Sequence, residues 1–314
     1  MVLITGASGF VGSALVKYLS HIYSVRALVR LLPSSSDSSA EYISGFDLSN
    51  NASLGSILDG VDVIVHCAAR VHVMNETTVD PLEEFRQINV RGTMNLAIQA
   101  AQSGVKRFIY LSSIKVNGES TKPGIPFTPE DLPSPEDAYG ISKFEAESAL
   151  QALGVETGME IVIIRPPLIY GHGVKANFAS LIGLVKLGIP LPFGLANKNR
   201  RSFVALDNLL SFIGECISNS KAANQIFLIS DGRDLSTADL LKAIAAAGNR
   251  SILLLPFPIS ILRWILGLVG KSNMSERLLG NLQVDIAKCY DLLGWIPPVT
   301  VNQALSQAIS GINR

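Results

Sequence analysis

Tyr139 and Lys143 stand four residues apart in Tyr139-Gly140-Ile141-Ser142-Lys143, with Ser113 upstream. On a helix the two lie on one face, one turn from each other. A phenol ordinarily titrates at about pH 10, and a neighbouring ammonium favours its ionised form. The pair can therefore give or take a proton in an alcohol/ketone interconversion. Spacing alone is weak, because any lysine-rich helix can produce it. A second feature adds weight: Thr5-Gly6-Ala7-Ser8-Gly9-Phe10-Val11-Gly12. Gly6, Gly9 and Gly12 follow a strand and open a helix, so the turn can be tight and a pyrophosphate can rest on the helix N-terminus. The spacing is GxxGxxG rather than the commoner GxGxxG.

A carboxylate about 20 residues past such glycines would hold the adenosine ribose of NAD. Here the second strand ends in Val29-Arg30, and Arg30 lies 18 residues past Gly12. Arginine suits bidentate phosphate contacts, so NADP(H) is favoured. NAD(H) is the alternative, because Asp37 in the next loop can in principle reach a ribose.

The elements that must position these residues alternate. Strands are expected at Val2–Thr5, Ser24–Val29, Tyr42–Phe46, Val61–Cys67, Lys106–Ser112 and Glu160–Ile164. Helices are expected at Phe10–Ser20, Ala52–Leu58 (short), Pro81–Ser103 and Ala138–Gly154. This alternation implies an α/β fold with a doubly wound parallel sheet. Past Arg165-Pro166-Pro167 the elements shorten and Gly and Pro become frequent. Gln225–Ser230 reads as one more strand and Thr237–Ala247 as a helix with a Ser236/Thr237 cap. The chain thus divides into a dinucleotide-binding Rossmann domain, 1–166, with a returning contribution around 203–230. A smaller α/β substrate lobe comprises 167–202 and 231–314. The cleft at the strands' carboxyl ends is the expected site.

Bulk properties narrow the class. A hydrophobic fraction of 48% against 17% charged residues suits doubly buried parallel strands. The 26 basic and 26 acidic residues cancel and no long basic run occurs, which argues against nucleic acid. Cys67, Cys216 and Cys289 are far apart with no CxxC, so neither disulfide nor metal chemistry is expected; this fits a reduced cytoplasm. The apolar run Ile252–Val269 has two prolines near its start and Arg263 near its middle. It is too short after Pro258 for stable membrane insertion, and is expected to be a buried helix or a lid over a substrate pocket.

The ordered motifs Gly6-Ala7-Ser8-Gly9-Phe10-Val11-Gly12, Phe46-Asp47-Leu48, His66-Cys67-Ala68-Ala69, Asn89-Val90-Arg91-Gly92-Thr93, Leu111-Ser112-Ser113, Tyr139 to Lys143 and Arg165 to Gly171 carry a family resemblance. Over nearly its whole length the chain resembles the extended short-chain dehydrogenase/reductases. Within them it resembles the nucleotide-sugar epimerase/dehydratase/reductase group typified by UDP-glucose 4-epimerase.

The resemblance implies Tyr139 as acid/base, with Lys143 binding the nicotinamide ribose and lowering the phenol pKa. Ser113 would bond the reacting oxygen and Ser112 would sit beside the cofactor. Asp47 would hold the adenine amine, with Leu48 on the ring. Ala68 and Ala69 would admit the cofactor, Asn89 would support the site, and Pro166 and Leu168 would line the nicotinamide pocket. On the other lobe Asn177, Arg201 and Arg277 resemble the residues that grip a sugar-nucleotide diphosphate. Asp285 is either a nucleoside contact or a helix cap. His72 and His172 have no identifiable partners. Homodimerisation through Pro81–Ser103 and Ala138–Gly154 is a further implication.

Departures sit at the sugar pocket. Lys115 stands where the epimerases often carry a small hydroxyl residue, and Val116-Asn117-Gly118 replaces Val-Tyr-Gly. With Arg30, they favour a 4-ketoreductase of a UDP-linked 4-keto-6-deoxy-N-acetylhexosamine, of the kind used in bacterial O-antigen synthesis. The alternative is a UDP-glucose or UDP-N-acetylglucosamine 4-epimerase. A non-catalytic NADP-binding protein and a hydroxysteroid-type dehydrogenase rank lower.

Overall fold

The computed structural model describes residues 1–33, 39–49, 53–71, 80–174, 176–268, 270 and 272–312. Seven strands form one parallel sheet: β1 (Val2–Thr5), β2 (Val25–Leu28), β3 (Ala40–Ile43), β4 (Val63–His66), β5 (Arg107–Leu111), β6 (Glu160–Arg165) and, after a long excursion, β9 (Ile226–Leu228). Their order is β3-β2-β1-β4-β5-β6-β9. The strand order reverses between β1 and β4, where a doubly wound sheet leaves its ligand crevice. Both β1 and β4 are buried along their whole length, as strands covered on two faces must be.

Helices α1 (Phe10–Leu19) and α6 (Leu206–Ser218) cover one face. On the other lie α2 (Pro81–Phe85), a π-helical segment Arg86–Gly92, α3 (Thr93–Gln102) and α4 (Ala138–Thr157). The sequence expectation of one continuous helix over 81–103 is corrected: a π-helical stretch interrupts it. The short helix expected at 52–58 is a 3₁₀ turn, Gly55–Leu58, and residue 52 lies outside the described residues.

A second core forms beyond β6. It joins a two-stranded sheet, β7 (Leu168–Tyr170) with β8 (Phe203–Ala205), to α5 (Ala176–Lys186), α7 (Thr237–Ala247), α8 (Ile259–Leu268), α9 (Ser272–Leu279) and α11 (Val301–Ile312). Helix α10 (Ala287–Leu293) returns to the main sheet through Cys289.

Of the buried helix or lid expected over 252–269, the buried helix is not found; residue 269 lies outside the described residues. Residues 252–255 are extended, with Leu253 and Leu255 outward, and α8 buries only Leu262. The helix lies on the rim of the second lobe, where Ile261, Trp264, Ile265 and Leu268 are exposed among the described residues.

Candidate active site

The glycine turn is built by close approach. Gly6 has φ +65°, and a Cβ there would stand 2.7 Å from Ala68 N. Gly12 lets α1 lie on the turn, since its Cβ would meet Gly6 O at 2.2 Å. Gly9 is exposed at the N-cap of α1; no side chain caps this end and its first turn carries no acid. Phe10 and Val11 start the helix and pack inward. Free helix N–H groups beside an uncharged, open backbone suit a pyrophosphate, so these residues fit a dinucleotide. Toward its adenosine end, Leu48 is buried against Gly92, where a Cβ would meet Leu48 O at 2.3 Å. The Asp47 carboxyl is held below its usual range, first by the Ser49 N–H and also by Arg30. Arg30 itself is exposed, at the end of β2. Asp37 lies outside the described residues.

Helix α4 begins at Asp137, which accepts the Gly140 N–H at 2.7 Å. That cap sets Tyr139 in the first turn, its ring edge-on to Phe85 at 6.0 Å between centroids. One turn on, the buried Lys143 Nζ donates to Leu111 O at 2.8 Å and stands 4.4 Å from the Tyr110 ring and 5.9 Å from the Tyr139 ring. Burial pulls Lys143 down to about 8, against the opposing pull of Glu147. The expected lowering of the Tyr139 phenol by Lys143 is corrected. Burial and then Asp137 push the phenol up, and a hydrogen bond with the Ser113 side chain opposes them. Ser113 thus reaches Tyr139, at the start of the 3₁₀ turn that leaves β5.

Two supporting networks were not anticipated in full. Asn89, within the π-helical stretch, holds Arg70 N at 2.8 Å and Arg70 O at 3.0 Å and donates to Ser142 Oγ at 3.0 Å. It ties the Ala68–Ala69 strand exit to α4. Beneath Lys143, Ser112 Oγ donates to Glu147, which receives Arg165 at 2.5 Å. Arg165 then reaches Asn117 Oδ1 at 3.0 Å. Glu147 follows Lys143 by four residues, the spacing that put Lys143 below Tyr139, and that is the signal that would have found it.

His66 ends β4 fully buried between Thr5 Oγ1 at 2.7 Å and Thr93 Oγ1 at 3.0 Å. Burial pulls its pKa down to about 3 from an ordinary value of 6.5. The folded state therefore keeps it neutral while the unfolded chain takes up a proton. Its contribution to stability is complete above pH 6.5 and is lost as pH falls toward 3. Thermal melting should drop across that window, and His66→Gln should flatten the drop; an unchanged slope would remove His66 as its source.

The second lobe faces this site. Arg201 donates to Glu276 O at 3.3 Å; burial first, and then the nearby Arg277 charge, pulls its pKa down to about 10, while Glu119 opposes. The departure residue Lys115 binds Glu119 at 2.6 Å and Asp137 at 2.5 Å. A line of charge therefore runs from the cap of the Tyr139 helix through Lys115 and Glu119 to the Arg201/Arg277 pair. Pro166 O accepts the Ile114 N–H at 3.0 Å, and Leu168 is exposed. Asp285 accepts the Ala287 N–H at 2.7 Å just ahead of α10, whose N-cap position is Ile286. Asn177 begins α5, but its side chain, like all of His72, lies outside the described residues; His172 is exposed.

A doubly wound sheet with an open glycine turn at its switch point, and the partly buried Ser113 and Tyr139 with the buried Lys143 beside it, defines an α/β enzyme of the dinucleotide-dependent redox class. Residues 2–230 match the model of the NAD dependent epimerase/dehydratase family. The chain is 48% identical over 308 residues to a UDP-glucose 4-epimerase of Vibrio cholerae, covering 98% of this chain and 93% of that one. It belongs to the NAD dependent epimerase/dehydratase family. In fold it is similar to the UDP-glucose 4-epimerase of Thermotoga maritima solved with UDP-glucose (TM-score 0.78, 22% identity, 99% and 98% of the two chains). It is similar also to RMD from Pseudomonas aeruginosa complexed with NADPH (TM-score 0.76, 23% identity, 100% of both).

Proposed function

We propose that this protein is a 4-epimerase of UDP-linked hexoses, working with a nicotinamide dinucleotide that it retains. The observation that carries the reading is the 48% identity, over almost the whole chain, to the Vibrio cholerae UDP-glucose 4-epimerase. It displaces the ketoreductase favoured by the sequence. The bound dinucleotide would supply reversible redox capacity at the sugar's C4. Tyr139 would take the C4 hydroxyl proton and later return it, with Ser113 bonding the same oxygen. Lys143 would hold the ribose beside them. Arg201 and Arg277 would grip the diphosphate, which holds the sugar in reach of Tyr139.

Charge around Arg30 supports retained NAD over exchanged NADPH. A 2′-phosphate there would meet the Asp47 carboxylate as well as the guanidinium, which weakens the preference Arg30 alone would confer. Purified protein should interconvert UDP-galactose and UDP-glucose without consuming added nicotinamide nucleotide. No interconversion, with NADPH consumed stoichiometrically on a UDP-4-keto-6-deoxy-N-acetylhexosamine, would restore the reductase. Arg30→Ala should leave epimerisation almost unchanged. A loss of about tenfold, the weight of one charge-assisted contact, would give Arg30 a phosphate to hold.

A further inference from the structure

We infer that the rim of the second lobe, centred on α8, is a docking surface for an anionic lipid bilayer. The inference does not depend on which sugar reaction the enzyme catalyses.

Helix α8 presents Ile261, Trp264, Ile265 and Leu268 to solvent, the i, i+3, i+4, i+7 stripe that a globular helix ordinarily turns inward. Trp264 is 65% exposed and Leu268 67%. The stripe continues along the chain leading into the helix. Leu253 and Leu255 point outward while Ile252 and Leu254 join the core beneath. This segment pairs with 191–194 through Leu191 N to Leu253 O at 2.9 Å, Leu255 N to Leu191 O at 2.8 Å and Gly194 N to Leu255 O at 2.8 Å. The neighbouring strap adds the exposed Ile189 and Leu195. So many large apolar side chains exposed on one lobe are uncommon on a soluble monomer and mark a contact surface.

Charge identifies the occupant. The chain balances 26 basic against 26 acidic residues, yet the two stretches that build this lobe face do not share the balance. Residues 171–206 hold five Lys or Arg and no Asp or Glu, and residues 240–275 hold four and none; of these Arg201 lies in the cleft, and Arg263 of α8 stands 3.9 Å from the exposed Glu276 that follows the second stretch. Lys198, Arg200, Arg250 and Arg263 are exposed. An apolar stripe with an exposed indole, bordered by predominantly basic segments, matches what an interfacial helix offers an anionic headgroup layer. A two-fold contact with a second copy would instead bring the same basic face onto itself. No helix among the described residues is long and apolar enough to cross a membrane, and α8 has ten residues. The mode is therefore interfacial. Since α8 packs on α9 through Arg263 to Leu279 O at 3.2 Å, and α9 carries Arg277, docking would hold the diphosphate-binding side of the cleft near the headgroups.

The test uses the full chain with vesicles of equal parts phosphatidylglycerol and phosphatidylcholine, and with phosphatidylcholine alone. The protein should sediment with the mixed vesicles at low salt, weakly with the neutral ones, and release at about 1 M salt, where screening is nearly complete. Of the two tryptophans, Trp295 is 7% exposed, so a blue shift on binding reports Trp264. Trp264→Ser with Leu268→Ser, and separately Lys198→Glu with Arg250→Glu, should each reduce partition by about tenfold or more. Both should retain UDP-sugar turnover in vesicle-free buffer, which shows that they fold. The inference is overturned by no partition at low salt, or by partition that neither double variant diminishes. It is equally overturned by a dimer that these variants dissolve and that ignores vesicles.

Discussion

Tyr139→Phe is expected to lower turnover by about 10²- to 10⁴-fold, the usual weight of a lost general acid/base. The substitution keeps the ring that packs edge-on against Phe85, and keeps the Asp137 cap that starts α4. It removes only the hydroxyl and its bond with Ser113. Binding of UDP and of nicotinamide nucleotide should therefore be nearly unchanged, because neither depends on that oxygen. The burial and the Asp137 charge that push the phenol up make this proton hard to release unaided. Lys115, bound to Asp137, offsets part of that charge. The measurement is kcat beside nucleotide affinity by titration calorimetry. A kcat within about tenfold of the parent would sink the acid/base assignment.

Glu147→Gln should be the most damaging change to stability away from the reacting atoms. Glu147 and Arg165 are 1% and 2% exposed, and their bond is bidentate. Removing the charge leaves a buried guanidinium without a counterion, with one amide oxygen and Asn117 Oδ1 to accept from it, at a cost of about 3–5 kcal/mol. For a chain of this size the melting temperature should fall by roughly 6–20 °C. Ser112 then competes with Arg165 for the one remaining oxygen, and Lys143 loses the carboxylate that opposes its desolvation. Glu147→Leu combined with Arg165→Met should recover much of the loss, since no charge then remains buried. A scanning-calorimetry shift below about 2 °C for the single variant would show that water reaches the pair.

How much of this was legible in the sequence follows from the range of each interaction. Strand β1 and helix α7 have the ends that the residue pattern predicts, because a glycine turn bounds one and a Ser236 cap bounds the other. The meeting of Tyr139 with Lys143 needs only four residues of helix. Ser113 needs the sheet to bring the end of β5 beside α4, which the alternation of strands and helices implies. By contrast Arg165 and Glu147 belong to a strand and a helix whose register no local pattern encodes. The π-helical turn that aims Asn89 and the link from Lys115 through Glu119 toward Arg201 also depend on packing between distant segments. The apolar 252–269 run shows the limit most clearly. Its composition reads as core, but whether a neighbour covers it is a property of the assembled lobe.

By itself, then, the sequence determined the sheet, the dinucleotide turn and the Ser113–Tyr139–Lys143 group, since each rests on local periodicity, turn chemistry or helical spacing. Only the tertiary structure decided that burial pushes the phenol up, that a buried Glu147–Arg165 pair underlies the lysine, and that α8 faces outward. Desolvation and exposure arise from what surrounds a residue in space, and that is set by segments far away along the chain.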